Sequence, residues 1–183
     1  MKIPLLSVFL GMALGTWLGT AIAAPGAEAK AVYAQAKNKA QADDKAARER
    51  CKAITGNPKA VCIAEAKAAR VRAEEEASAL YRNTLKDYTQ SRLKIASANY
   101  ALDKVKCAAL TGNDKDVCIK QAKSTLIAAQ ADAKADKKAI EARTDARDDK
   151  RTAEYKVALE KCDAYAGAGK DSCVSAAKSQ YGK

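Results

Sequence analysis

Three segments of this chain carry the same spaced pair of cysteines, and no other feature restricts its possible folds so tightly. They are Cys51-KAITGNPKAV-Cys62, Cys107-AALTGNDKDV-Cys118 and Cys162-DAYAGAGKDS-Cys173, each with ten residues between the cysteines. In each, a glycine follows the first cysteine by five places (Gly56, Gly112, Gly167) and a lysine by eight (Lys59, Lys115, Lys170). The second cysteine is followed by Ile63, Ile119 or Val174, then by Ala66-Lys67, Ala122-Lys123 or Ala177-Lys178. Arg50, Lys106 and Lys161 precede the first cysteine, and Tyr100 and Tyr155 stand seven places before theirs. A period of about 55 residues marks three copies of one supersecondary cassette.

Beyond the first two dozen residues, every glycine and proline falls at an end of the chain or inside a cassette. Pro25, Gly26 and Gly182 mark the ends, and Gly56, Pro58, Gly112, Gly167 and Gly169 mark three turns. A glycine just past a helix end can adopt the left-handed conformation that closes it. Asn57 and Asn113 are then candidate N-caps of the next helix, and Pro58 suits a first helical position. In the third copy Gly169 and Asp171 take over these signals.

The spacing predicts four helices, over roughly 27–54, 58–110, 114–165 and 170–181. Short loops make successive helices antiparallel. The expected fold is therefore all-α, with elongated antiparallel helical hairpins in a coiled-coil-like up-down-up bundle with a short fourth helix. Steps of three and four along Tyr81, Thr84, Tyr88, Ser91, Ile95, Ala98, Leu102 and Val105 give the second helix a packing stripe. Ile119, Ala122, Leu126, Ala129, Ala133 and Ile140 do the same for the third, until Arg143, Arg147 and Asp148 interrupt it. Small residues at many of these positions make the seam thin, and the polar stretch from Asp132 to Arg151 is expected to be mobile or frayed.

Residues 1–23 read as a signal peptide. A basic start at Lys2 leads into an apolar run that closes on Ala21-Ile22-Ala23, a small-x-small pattern that signal peptidase accepts. The alternative is an uncleaved inner-membrane anchor, with Gly11, Gly15 and Gly19 as a helix-pairing face. Residues 24–183 then form a single elongated helical domain of three cassettes, periplasmic or secreted. All Trp, Phe and Met lie in the leader, and the chain contains no His. What remains cannot line a deep apolar pocket, and the commonest general base and metal ligand is missing.

An exported chain matures under oxidising conditions, which favours disulfides. Six cysteines allow fifteen pairings; the repeat selects Cys51–Cys62, Cys107–Cys118 and Cys162–Cys173, because each hairpin then closes itself. Zinc sites use closer cysteine pairs, often with His, and redox thiols favour C-x-x-C at a helix N-terminus. The cysteines are therefore expected to be structural, with no metal, no cofactor and no catalytic residue. The net charge of +11 favours anionic partners, although acidic and basic residues alternate as they do on a solvated, ion-paired surface.

The motif Y-x6-C-x4-G-N-x-K-D-V-C-x3-A-K, best matched by Tyr100 to Lys123, resembles exported Ala/Lys-rich proteobacterial proteins labelled TolA-like or cell-envelope-biogenesis proteins. The third copy departs from it, lacking the Asn and carrying Ser172, and the first lacks the Tyr. The globular C-terminal domain of TolA has no counterpart here. The resemblance implies an envelope compartment and a helical fold, and no catalytic residues. The expected role is that of a structural or interaction protein without enzymatic activity or a small-molecule substrate. Its partners would be an envelope protein, an anionic surface or a second copy docked through the helical seam. The alternatives are a cationic Skp-like periplasmic holdase and a binder of lipopolysaccharide or nucleic acid.

Overall fold

The computed structural model describes residues 26–183, so the expected signal segment lies outside the described residues. The chain is all-α. Its helices are α1 (Ala27–Cys51), α2 (Gly56–Arg82), α3 (Leu85–Cys107), α4 (Gly112–Cys162) and α5 (Gly167–Tyr181).

The three cassette turns are built alike. Each preceding helix tightens into i→i−3 bonds over its last residues. In the first, the amides of Lys52, Ala53 and Ile54 donate to the carbonyls of Glu49, Arg50 and Cys51 at 3.1–3.4 Å. The same three bonds recur at Ala108–Leu110 and at Asp163–Tyr165. Gly56, Gly112 and Gly167 follow with φ of +65°, +54° and +55°, a conformation that a Cβ would strain. The left-handed conformation expected of these glycines is present at all three turns, but each glycine opens the following helix, and the preceding helices end on the right-handed caps Lys52, Ala108 and Asp163.

One expected helix is divided. The spacing predicts one unbroken second helix over 58–110, but α2 stops at Arg82 and α3 starts at Leu85. Asn83 takes the left-handed conformation (φ 49°, ψ 39°), and its amide donates to the Ala79 carbonyl at 2.8 Å. Thr84 caps α3: its hydroxyl accepts from the Asp87 amide at 3.1 Å and donates to the Asp87 carboxylate at 2.6 Å. These two residues reverse the chain, and α3 returns along α2, with Lys94 Nζ reaching Glu75 at 2.9 Å. Asn is the residue other than glycine that most readily adopts this conformation, so the reversal needs no glycine.

Among the described residues each helix packs only on its sequence neighbours: α1 on α2, α2 on α3, α3 on α4 and α4 on α5. Burial along α2 shows why. Ala66 and Ala68 are both buried, yet two residues on a helix stand about 200° apart. One faces α1 and the other α3, on opposite sides of α2. In α3, Thr89 and Ser91 repeat this arrangement. The result is a pleated ribbon one helix thick, not a closed bundle.

The core is correspondingly small. Among the described residues every buried apolar side chain is alanine or half-cystine, and the largest fully buried ones are Cys51, Cys107 and Cys162. Ala66, Ala122 and Ala177, four places after the second cysteine of each cassette, are all buried.

α4, about 75 Å long at 1.5 Å per residue, joins the two parts of the ribbon. α3 lies along its first part, where Arg92 meets Asp136 at 2.6 Å. α5 lies along its last part, where Lys183 Nζ donates to Thr152 at 3.3 Å. Ala133, buried against α3, and Cys162, bonded to α5, are 29 residues or about eight turns apart, so both neighbours use nearly the same side. Between them the stretch around Glu141–Arg151 has no helix against it. The polar stretch from Asp132 to Arg151, expected to be mobile or frayed, is continuous helix within α4.

Candidate functional site

The three cassettes are the sites singled out by sequence, and all six cysteines are joined as the repeat implies. Cys51–Cys62, Cys107–Cys118 and Cys162–Cys173 span Cα–Cα distances of 5.8, 5.7 and 5.6 Å. No cysteine is free, so no thiol stands ready for nucleophilic or redox work. Closing a loop of this size stabilises by on the order of 3 kcal/mol in the chain-entropy model. Three such closures are large beside a core of alanines.

Of the other residues singled out, Gly56, Gly112 and Gly167 sit at the turn reversals. Gly169 does not have positive φ and lies in the first turn of α5. Asn57, Pro58 and Asn113 lie in the first turns of α2 and α4, each of which begins at the preceding glycine. No side-chain cap bond forms at Thr55, Thr111 or Ala166. The N-cap role expected of Asn57 and Asn113 is therefore not realised: both lie inside the first turn, and the N-cap positions are Thr55 and Thr111.

The register of each hairpin brings a second pair of positions together: seven residues before the first cysteine and eight after the second. In the third hairpin these are Tyr155 and Tyr181, with ring centroids 6.0 Å apart and planes tilted by 54°. In the second they are Tyr100 and Leu126, which line one small cleft. In the first they are Asp44 and Arg70, at 3.6 Å. Asp44 also accepts from Arg48 Nε at 2.9 Å, and Arg70 Nη1 donates to Glu74 at 3.3 Å. Arg70 Nε is buried without a hydrogen bond. The tyrosine missing from the first cassette is therefore replaced by an ion pair. Sequence reasoning noted the missing tyrosine but not the downstream partner position.

A third recurring position is exposed. Three residues after the first cysteine, each turn presents a large apolar side chain to solvent: Ile54, Leu110 and Tyr165. Because α1, α2 and α3 alternate in direction, the first two turns lie at one end of the ribbon. The third lies at the far end of α4. At the opposite end of α1 and α2 a shallow apolar groove includes Val32, Leu80 and the stacked rings of Tyr33 and Tyr81, 4.8 Å apart.

The arrangement offers clamps, tips and a groove. Among the described residues no group of three or more His, Cys, Asp or Glu is placed to hold a metal ion. Among the described residues two side chains have displaced pKa values. The Thr84 hydroxyl, aided by Arg82, holds Asp87 below the usual carboxylate range, and the Asp163 carboxylate, 2.7 Å away, holds Lys170 above its usual value. Both side chains cap or close turns. No protein-family model, no curated protein and no solved structure matches the chain.

Proposed function

We propose that the protein is a non-catalytic structural or interaction element of the bacterial cell envelope, built to hold docking surfaces apart on a stapled helical ribbon. The single observation that carries this reading is the repetition of one disulfide-closed turn three times in a chain whose largest fully buried side chains, among the described residues, are half-cystines. Such a ribbon depends on an oxidising compartment, as a periplasmic or secreted protein would. The similarity of Tyr100–Lys123 to TolA-like envelope proteins points the same way. No helix among the described residues is long and apolar enough to cross a membrane.

The test is export followed by partner capture. The chain should be recovered from the periplasm with its leader removed and its cysteines fully oxidised. Cross-linking there should trap envelope components, and reduction should abolish the capture along with much of the helicity. Recovery of reduced chain from the cytoplasm would refute the reading.

One observation favours a second reading, that of a holdase. The groove of Val32, Tyr33, Leu80 and Tyr81 exposes apolar surface suited to unfolded chains. Suppression of aggregation of an unfolded outer-membrane protein, lost on Leu80→Ser, would select it over the structural role.

A further inference from the structure

The two turns that share an end of the ribbon differ from the rest of the molecule in charge. Residues 48–67 and 103–123 contain ten Lys and Arg against five Asp and Glu. The middle of α4, residues 124–160, contains eight of each. Half of the net positive charge of residues 26–183 is thus gathered at one end. Some of these cations are already engaged: Lys52 lies 2.6 Å from Glu49, and Lys106 lies 4.0 Å from Glu65. Arg50, Lys59, Lys115 and Lys120 have no ion-pair partner among the described residues.

The same end carries Ile54 and Leu110. They are 36% and 41% exposed, at equivalent places in the two turns, and the backbone amide of each donates a hydrogen bond to the carbonyl of a fully buried half-cystine. A turn backbone fixed in this way loses little freedom on docking.

We infer that the twin-tip end of the ribbon, with Ile54 and Leu110 as paired apolar contacts among uncompensated lysines, docks end-on against an anionic phospholipid bilayer. This deepens the envelope reading and rests on it. The charge complements anionic headgroups, whose attraction for basic residues acts within a Debye length of the surface. The apolar tips decide between bilayer and soluble polyanion. A nucleic acid or free polyphosphate offers no apolar interior for Ile54 and Leu110, whereas the headgroup–acyl boundary does. The far turn, with Tyr165 between Asp163 and Asp171 as well as Lys161 and Lys170, is charge-balanced and stays free.

Sedimentation of the full oxidised chain, purified after export, with vesicles tests this. Binding should be seen with phosphatidylglycerol/phosphatidylethanolamine vesicles and be at least tenfold weaker with phosphatidylcholine. Raising the salt should weaken it. Ile54→Ser with Leu110→Ser should cut binding about tenfold, and Lys59→Gln with Lys115→Gln and Lys120→Gln by a similar factor, with far-ultraviolet circular dichroism unchanged. Tyr165→Ser should leave it as it was.

Absence of binding to the anionic vesicles would overturn the inference. So would binding insensitive to Ile54 and Leu110, an equal loss from Tyr165→Ser, or equally tight binding of a short DNA duplex. An exported, partner-capturing chain that ignores vesicles would refute this inference alone; vesicle binding by a chain never exported would refute the envelope reading alone.

Discussion

Asp44 and Arg70 face each other across the first hairpin at 3.6 Å, in the positions where the third hairpin places Tyr155 against Tyr181. One structural position is thus filled in two chemically opposite ways. An ion pair removed from water is stabilising only where its remaining hydrogen bonds are made. Here Asp44 has Arg48 as well, while Arg70 Nε is buried without a hydrogen bond. The first hairpin should therefore tolerate the aromatic solution.

Asp44→Tyr combined with Arg70→Leu should raise the midpoint of thermal unfolding by a few degrees, corresponding to about 1 kcal/mol. Arg70→Leu alone should lower it, because Asp44 then keeps only Arg48. Calorimetry on the oxidised variants measures both. A double variant less stable than the single would refute the account.

The two-residue reversal between α2 and α3 depends on Thr84. Thr84→Ala should cost about 1 kcal/mol, the usual value of an N-cap. Asn83→Gly should be close to neutral, because glycine accepts the positive φ without strain. Hydrogen exchange at the amides of Tyr88 and its neighbours should accelerate in the first variant and stay unchanged in the second.

The same turn has a pH dependence of fixed sign. The Thr84 hydroxyl, and after it Arg82, hold the Asp87 carboxyl below its ordinary value. A carboxyl depressed in the folded state favours folding fully above its unfolded value of about 3.9. That contribution disappears as pH falls through the lower folded value. Carboxyl-carbon NMR should therefore place the Asp87 midpoint below that of the other aspartates. Thr84→Ala should raise it more than Arg82→Gln does.

The third clamp should matter locally, because α5 is fifteen residues long and touches only α4. Isolated helices of that length are marginal in water. Cys162→Ser with Cys173→Ser should let α5 exchange its amides rapidly while α1–α3 keep their protection. Loss of protection throughout the chain would mean that the hairpins fold as one cooperative unit.

Ala133 is buried where α4 meets α3, whereas Ala146 lies in the uncovered stretch of α4 and is exposed. Ala133→Leu should cost about 1–3 kcal/mol by overpacking. Ala146→Leu should be neutral to within about 0.5 kcal/mol. Chemical denaturation of the two variants separates covered from uncovered helix.

The cassettes are legible in the sequence because cysteine and glycine have few other uses at that spacing. The disulfides, the positive φ of Gly56, Gly112 and Gly167, and the antiparallel hairpins all follow from it. The reversal at Asn83 escaped because neither glycine nor proline marks it. Thr84 fitted a seam of threes and fours, although Asn-Thr-x-x-Asp is itself a stop followed by an N-cap. The single-layer packing escaped for a related reason. Stripes through Ser91 and through Thr89, Ala96 and Cys107 lie on opposite sides of α3. A search for one apolar face finds the first and takes the second for surface. The aspartate–arginine pair of the first hairpin could have been found by aligning the residues eight places after each second cysteine: Arg70, Leu126 and Tyr181.

The uncovered stretch of α4 makes separation and rotation inseparable. With no helix packed against Glu141–Arg151, the distance and the angle between the twin-tip hairpins and the Tyr165 hairpin are both set by the number of residues there. Seven added residues would move the far hairpin outward by about 10 Å and turn it only about 20°. Five would move it less but swing it about 140°, to nearly the other side of the rod. Length variation in this strut is therefore expected to occur in steps that keep both hairpins facing the same way.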